Sequence, residues 1–96
     1  MFKQLDALLH SELRLAIMSL LVGVNEAEFG FIREKTGATA GNLSVQLQKL
    51  DEAGYISLKK SFKGKYPLTT CKISKKGIAA FEEYVEAIKS YLKFEE

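Results

Sequence analysis

Seven lysines lie between Tyr55 and Gly77 with no acidic side chain among them: Lys59, Lys60, Lys63, Lys65, Lys72, Lys75 and Lys76. Ammonium groups are compact, strongly hydrated point charges, so such a cluster is chemistry for a polyanion, phosphate above all. The flanking segments carry the opposite sign. Residues 1–54 hold five basic and seven acidic side chains, and residues 78–96 hold two lysines and five glutamates. The formal net charge of +2 therefore averages over one concentrated basic patch. Lysines also protect a sheet edge from aggregation, but a few would serve that end. A second set lies just upstream: Thr39, Ala40, Gly41, Asn42, Ser44, Val45, Gln48 and Lys49. These side chains are small or uncharged apart from Lys49, and no carboxylate appears before Asp51 to repel phosphate. The amides of Asn42 and Gln48 match the donor and acceptor pair on the major-groove edge of adenine.

The elements that must position these residues follow from spacing. Leu43, Leu47 and Leu50 recur at i, i+4 and i+7, which predicts a helix that buries them on one face. Thr39 is placed to cap its start, and Gly54 to end it. Asn42, Ser44, Val45 and Gln48 then fall on the outer face. An ordinary solvated helix would share that exposure, although Glu and Lys usually dominate such a face. A shorter helix precedes it, anchored by Phe29 and Ile32 with Phe31 beside them, and Gly37 stops it. A short turn containing glycine joins two helices in a helix-turn-helix unit. Downstream, Ile56-Ser57-Leu58-Lys59 alternates apolar and polar, and Thr69 to Ile73 is β-prone. Ser61 to Pro67 reads as the connecting turn, with Lys60, Lys63 and Lys65 crowded at its tip. A short third strand is expected near Ala27–Phe29.

The two ends read as helix. Leu5, Leu8 and Leu9 form one apolar group, and Leu13, Ala16, Ile17, Leu20 and Leu21 a stripe after a Ser11 cap. Arg14 beside that stripe suits a structural role. Ser74 is placed to cap a C-terminal helix over residues 74–94. Ile78, Phe81, Val85, Ile88 and Leu92 are spaced 3, 4, 3 and 4, the seam of a coiled coil. Such a helix is about 28 Å long, more than a small domain covers, so part of the seam is expected to meet a second copy.

Composition removes other classes. Ninety-six residues make one domain, expected to occupy residues 1–96. No apolar run approaches a membrane span, and no signal-peptide pattern opens the chain, so a cytoplasmic protein without membrane contact is expected. One Cys and one His leave no metal cluster within one chain, and no cofactor motif is present. Cys71 shares a strand face with Ile73, so a buried, inert thiol is expected rather than a redox sensor, which needs an exposed thiolate near positive charge. His10 has no nucleophile or paired acid nearby in sequence, and no enzyme site is expected.

The chain also resembles small winged-helix transcriptional regulators of bacteria and archaea, of the MarR-type and ArsR-type class. The residues that carry the resemblance are His10 to Ile17, Phe29, Thr39 to Ser44, Leu47 to Ile56, and Leu68 to Gly77. The resemblance implies a homodimer that binds operator DNA, usually as a repressor. It implies that the helix after Thr39 enters the major groove, with Thr39 to Lys49 reading bases or touching phosphate. Lys59, Lys60, Lys63 and Lys65 would hold the backbone. Val45 stands where relatives often carry Arg or Lys, which points to weaker base readout. The metal-sensing Cys/His motifs of the ArsR-type class are absent.

The expected fold is therefore α+β: a winged helix-turn-helix with a long C-terminal dimerisation helix. The expected function is sequence-specific binding of double-stranded DNA as a homodimer, with no small-molecule effector named by the sequence. Two alternatives use the same residues. One is a winged-helix protein-interaction module whose lysines hold an acidic partner, and the other a non-specific nucleic-acid binder.

Overall fold

In the computed structural model, which describes residues 1–92, the chain runs α1 (Glu12–Val24), β1 (Glu26–Glu28), α2 (Phe29–Thr36), α3 (Ala40–Glu52), β2 (Ile56–Lys63), β3 (Tyr66–Ile73) and α4 (Lys75–Lys89). The strands form one antiparallel sheet in the order β1-β3-β2. This is the expected α+β winged helix, including its short extra strand.

One apolar stripe from each helix builds the core. Ile17, Met18 and Leu21 of α1, Ile32 of α2, and Leu43, Leu47 and Leu50 of α3 meet Ile56, Cys71 and Ile73 of the sheet. Leu9 and Tyr84 complete it from the two ends of the chain. Met18 is fully buried although it lies off the expected α1 stripe. The reason is that α1 touches α2, α3, α4 and the sheet, so more than one of its faces is covered.

Local chemistry sets the helix ends. Thr39 Oγ1 accepts the Asn42 amide at 3.1 Å, the cap expected of it. Gly37 ends α2 with φ 72°, and Gly54 follows α3 with φ 80°, both left-handed positions where a Cβ is costly. Two expectations fail. Ser11 occupies the N-cap position of α1 but its side chain accepts no capping bond. The segment around Leu5 to Leu9 is a turn and not a helix. Asp6 accounts for that: its carboxylate accepts the Leu8 amide at 2.9 Å, and its carbonyl accepts the His10 amide at 2.9 Å. Short Asp side chains compete with helical bonding in this way.

α4 starts as expected, with Ser74 Oγ accepting the Gly77 amide at 2.9 Å. Ser74 also donates to the Gly54 carbonyl at 2.6 Å, which ties α4 to the end of α3. A Cβ on Gly77 would stand 2.1 Å from the Tyr55 carbonyl oxygen, so only glycine admits this close approach. The expected helix over 74–94 is shorter, because α4 ends at Lys89. Leu92 lies beyond it, and Lys93 onward falls outside the described residues. The N-terminal arm holds this end. Lys3 N–H donates to Ser90 Oγ at 3.1 Å, Tyr91 donates to the Lys3 carbonyl at 3.0 Å, and Phe2 stacks on Tyr91 at 4.7 Å. The last turn tightens, with the Tyr91 and Leu92 amides bonding three residues back.

A second tie joins the arm to the entry of β2, where the Tyr55 hydroxyl donates to the Asp6 carboxylate. That bond, then burial, then the negative charges of Asp6 and Glu83, push the Tyr55 phenol from 10.0 up to about 12. The raised value means stability that is fully present below pH 10 and lost as pH climbs from 10 through 12. We expect Tyr55→Phe to unfold more easily than wild type near neutral pH and the gap to narrow as pH climbs from 10 toward 12. Urea unfolding of both proteins across this range measures the difference. Burial also pushes the Cys71 thiol from 9.0 to about 11, a loss common to both proteins that cancels in the comparison.

Candidate nucleic-acid interface

The 13-residue α3 presents two chemically distinct faces because its leucines recur with the helical period. Leu43, Leu47 and Leu50 are buried, whereas Thr39, Ala40, Gly41, Asn42, Ser44, Val45, Gln48 and Lys49 are all exposed. Ser44, Val45, Gln48 and Lys49 line a shallow open depression on this face. Every expected α3 residue therefore reaches solvent, and Val45 is 52% exposed and outside the apolar core.

Two neighbours escaped sequence reading. Gln46 is half-buried and accepts a bond from the Arg14 guanidinium through Oε1, while its amide donates to Asn42 Oδ1 at 3.0 Å. Arg14 Nε also donates to the Leu8 carbonyl at 2.6 Å. Arg14 thus has the structural role expected, and it orients Asn42 through Gln46. The second neighbour is Glu52, whose carboxylate accepts a long 3.4 Å bond from the Gln48 amide. An i, i+4 spacing at Gln48 and Glu52 was the available signal.

The hairpin behind α3 is longer than its alternating pattern suggested. β2 and β3 are eight residues each and pair from Ile56↔Ile73 to Lys63↔Tyr66. A two-residue turn, Gly64-Lys65, closes it, with Gly64 at φ 65°. Glycine first with positive φ is the form whose twist matches the flanking strands. Pairing alternates in an antiparallel ladder, so Pro67 next to the closing pair turns its nitrogen away from β2. β1 pairs with β3 only at Thr70 to Lys72, so this side of Pro67 is an open edge and no ladder bond is lost.

Register also sorts the lysines. Residues directly opposite each other share a face. Lys59 (opposite Thr70), Lys63 (opposite Tyr66) and Lys72 (opposite Ser57) lie on the face away from the core. Lys60, opposite Thr69, lies on the other face, and Lys65 sits in the turn. All are exposed, and the one ion pair among the described residues is Lys89–Glu86 on α4, so no described acid neutralises a hairpin lysine.

The expected seam lies beside the stripe that α4 buries within its own chain. Gly77, Tyr84 and Ala87 are the buried residues of α4, whereas Ile78, Phe81, Val85 and Ile88 are half-buried and Leu92 is 63% exposed. Tyr84 bonds His10 Nδ1 through its hydroxyl at 2.9 Å. Ile78, Phe81 and Ile88 reach the core from the side, while Val85 does not.

A helix pair under a basic two-stranded wing matches a known family. The family described as "Winged helix DNA-binding domain" matches residues 13–92. The chain belongs to this family. It is 41% identical over 80 residues to the uncharacterized protein MJ0432 of Methanocaldococcus jannaschii, covering 82% of this chain and 86% of that one. Its fold superimposes on a transcriptional regulator homologue from Pyrococcus horikoshii OT3 with a TM-score of 0.84, at 24% identity, over 91% of this chain and 86% of the other. A PadR family transcriptional regulator from Eggerthella lenta DSM 2243 gives a TM-score of 0.65 at 20% identity, over 84% and 79%. Family membership agrees with the resemblance read from the sequence and makes this a small winged-helix DNA-binding domain. Among the described residues, no helix is long and apolar enough to cross a membrane.

Proposed function

We propose that the chain acts as one domain, binds double-stranded DNA sequence-specifically as a homodimer, and represses transcription by occupying its site. The observation that carries this reading is the exposed, nearly uncharged face of α3 next to a wing whose lysines form no ion pair among the described residues. Asn42, Ser44, Val45 and Gln48 would meet base edges in the major groove, with Thr39, Ala40, Gly41 and Lys49 at the backbone. Lys59, Lys60, Lys63 and Lys65 would hold phosphates, which gives affinity without sequence information. A second copy would cover Ile78, Phe81, Val85, Ile88 and Leu92, since these are left half-buried or exposed by the chain itself. A two-fold dimer presents two α3 helices to one face of the duplex, and a bound dimer excludes other proteins from that site.

Asn42 Oδ1 keeps a free lone pair beside its Gln46 bond, and the 3.4 Å Gln48–Glu52 bond is weak enough to yield to a base. Each bidentate amide–adenine pair is worth about 1–3 kcal/mol of discrimination. Asn42→Ala and Gln48→Ala should therefore each relax base preference at defined positions by roughly tenfold or more, with non-specific affinity retained. Binding selections from random duplexes with wild type and both variants test this. Variants that enrich the wild-type motif at wild-type strength would remove these residues from base readout.

A further inference from the structure

The tip of the wing carries two aromatic side chains that the fold does not use. Phe62 is 74% exposed and Tyr66 is 77% exposed. The last pair on the core-facing side of the hairpin that reaches the core is Leu58↔Cys71. Phe62 is four residues further along β2, about 13 Å beyond that pair at 3.3–3.4 Å per residue. β1 stops at Thr70 on β3, so only two strands remain at this point and nothing lies beneath the ring. Burying a Phe side chain stabilises a protein by about 1.5–3 kcal/mol, and that gain is forgone here in the isolated chain.

Its surroundings give the ring a direction. Pro67 stands directly opposite Phe62 on the same face, a rigid apolar backing. Lys60 occupies the same face one pair-step inward, and Lys63 and Lys65 follow at the turn. An apolar ring with ammonium groups before and after it along one axis suits a narrow slot walled by phosphates. The minor groove is such a slot, about 6 Å wide, with apolar sugar walls and base edges inside. Tyr66 points to the other face beside Lys63 and carries a hydroxyl that can stay at the phosphates.

Resting on the DNA-binding reading above, we propose that Phe62 is an apolar wedge: the wing tip enters the minor groove, the Phe62 ring packs against its sugars and base edges, and the flanking lysines anchor the phosphates on either side. The wing then contributes a non-ionic contact in addition to charge. Apolar side chains inserted at base steps favour steps that unstack easily, so Phe62 also biases which flanking sequences bind well.

The test titrates wild type, Phe62→Ala and Phe62→Leu onto a labelled A·T-rich duplex, its G·C-rich counterpart and the separated single strands, over a range of salt. Phe62 touches no core residue, so the variants should keep the fold, and Phe62→Leu retains an apolar wedge. Phe62→Ala should lose about tenfold in duplex affinity or more, with the slope of log affinity against log salt unchanged. Phe62→Leu should recover most of that loss. Wild-type affinity in Phe62→Ala, a lowered salt slope, or a loss of equal size on single strands would overturn the wedge. If wild type binds the duplexes with a steep salt slope and Phe62→Ala matches it, the wedge alone falls. If wild type shows no salt-dependent duplex binding, the DNA-binding reading falls and takes the wedge with it.

Discussion

Replacing Lys60, Lys63 and Lys65 together by alanine is expected to weaken binding to every duplex, whatever its sequence, by about two to three orders of magnitude near 0.1 M salt. Each phosphate neutralised on B-DNA contributes roughly 0.9 to the salt slope, so three lost contacts should flatten it by about 2.7. The register explains why these three act together. Lys60 lies on one face of the hairpin, Lys63 on the other and Lys65 in the turn between, so a wing set into a groove meets phosphates on both sides. None of the three packs on the core, so the fold should survive. Fluorescence anisotropy across a salt series reads both quantities. A triple variant with the wild-type slope would take the wing off the backbone.

The second large effect concerns assembly. Val85 is the seam residue to change, because it is half-buried yet absent from the side chains that pack on the core. Ile78, Phe81 and Ile88 touch that core, and a charge there would unsettle the fold as well as the dimer. Val85→Lys should give a folded monomer. With only one α3 on the duplex, the gain from linking two half-site contacts disappears, a loss of about a hundredfold or more in affinity. Sedimentation of both proteins and binding to one duplex measure the two halves of this expectation. Wild type sedimenting as a monomer at roughly tens of micromolar would contradict it.

What the sequence disclosed was what local rules decide. The α3 leucines, the Thr39 cap, the Gly37 stop and the Gly54 end depend on residues within one or two turns, and each is where its spacing placed it. The exposed set on α3 followed from the same periodicity. The misses come from contacts distant in sequence. The bonds that hold the N-terminal arm against the end of α4 join Lys3 to Ser90 and Tyr91, across 87 and 88 positions, and no pattern within either segment foretells them. The Arg14–Gln46 bond spans 32 positions and is equally silent. The outer half of the wing was misread for another reason. Beyond Leu58 and Cys71 the hairpin leaves the core, so burial no longer imposes alternation, and turn geometry and cross-strand pairing alone keep it extended. Phe62 and Tyr66 accordingly fall in what the sequence reads as a connecting turn, whereas the structure places them near the ends of the two paired strands, both exposed.

Sequence-specific recognition by α3 is tested most directly by a binding selection in which the wild-type protein is offered a library of random duplexes at fixed, near-physiological salt. Wild type should enrich one near-palindromic motif, its half-sites about 10 bp apart to match two α3 helices on one face of the duplex. Specific binding should exceed that to bulk sequence by roughly a thousandfold or more. Recovery of no motif, with every sequence bound equally well, would contradict sequence-specific recognition and leave a wing that holds phosphate without an α3 that reads bases.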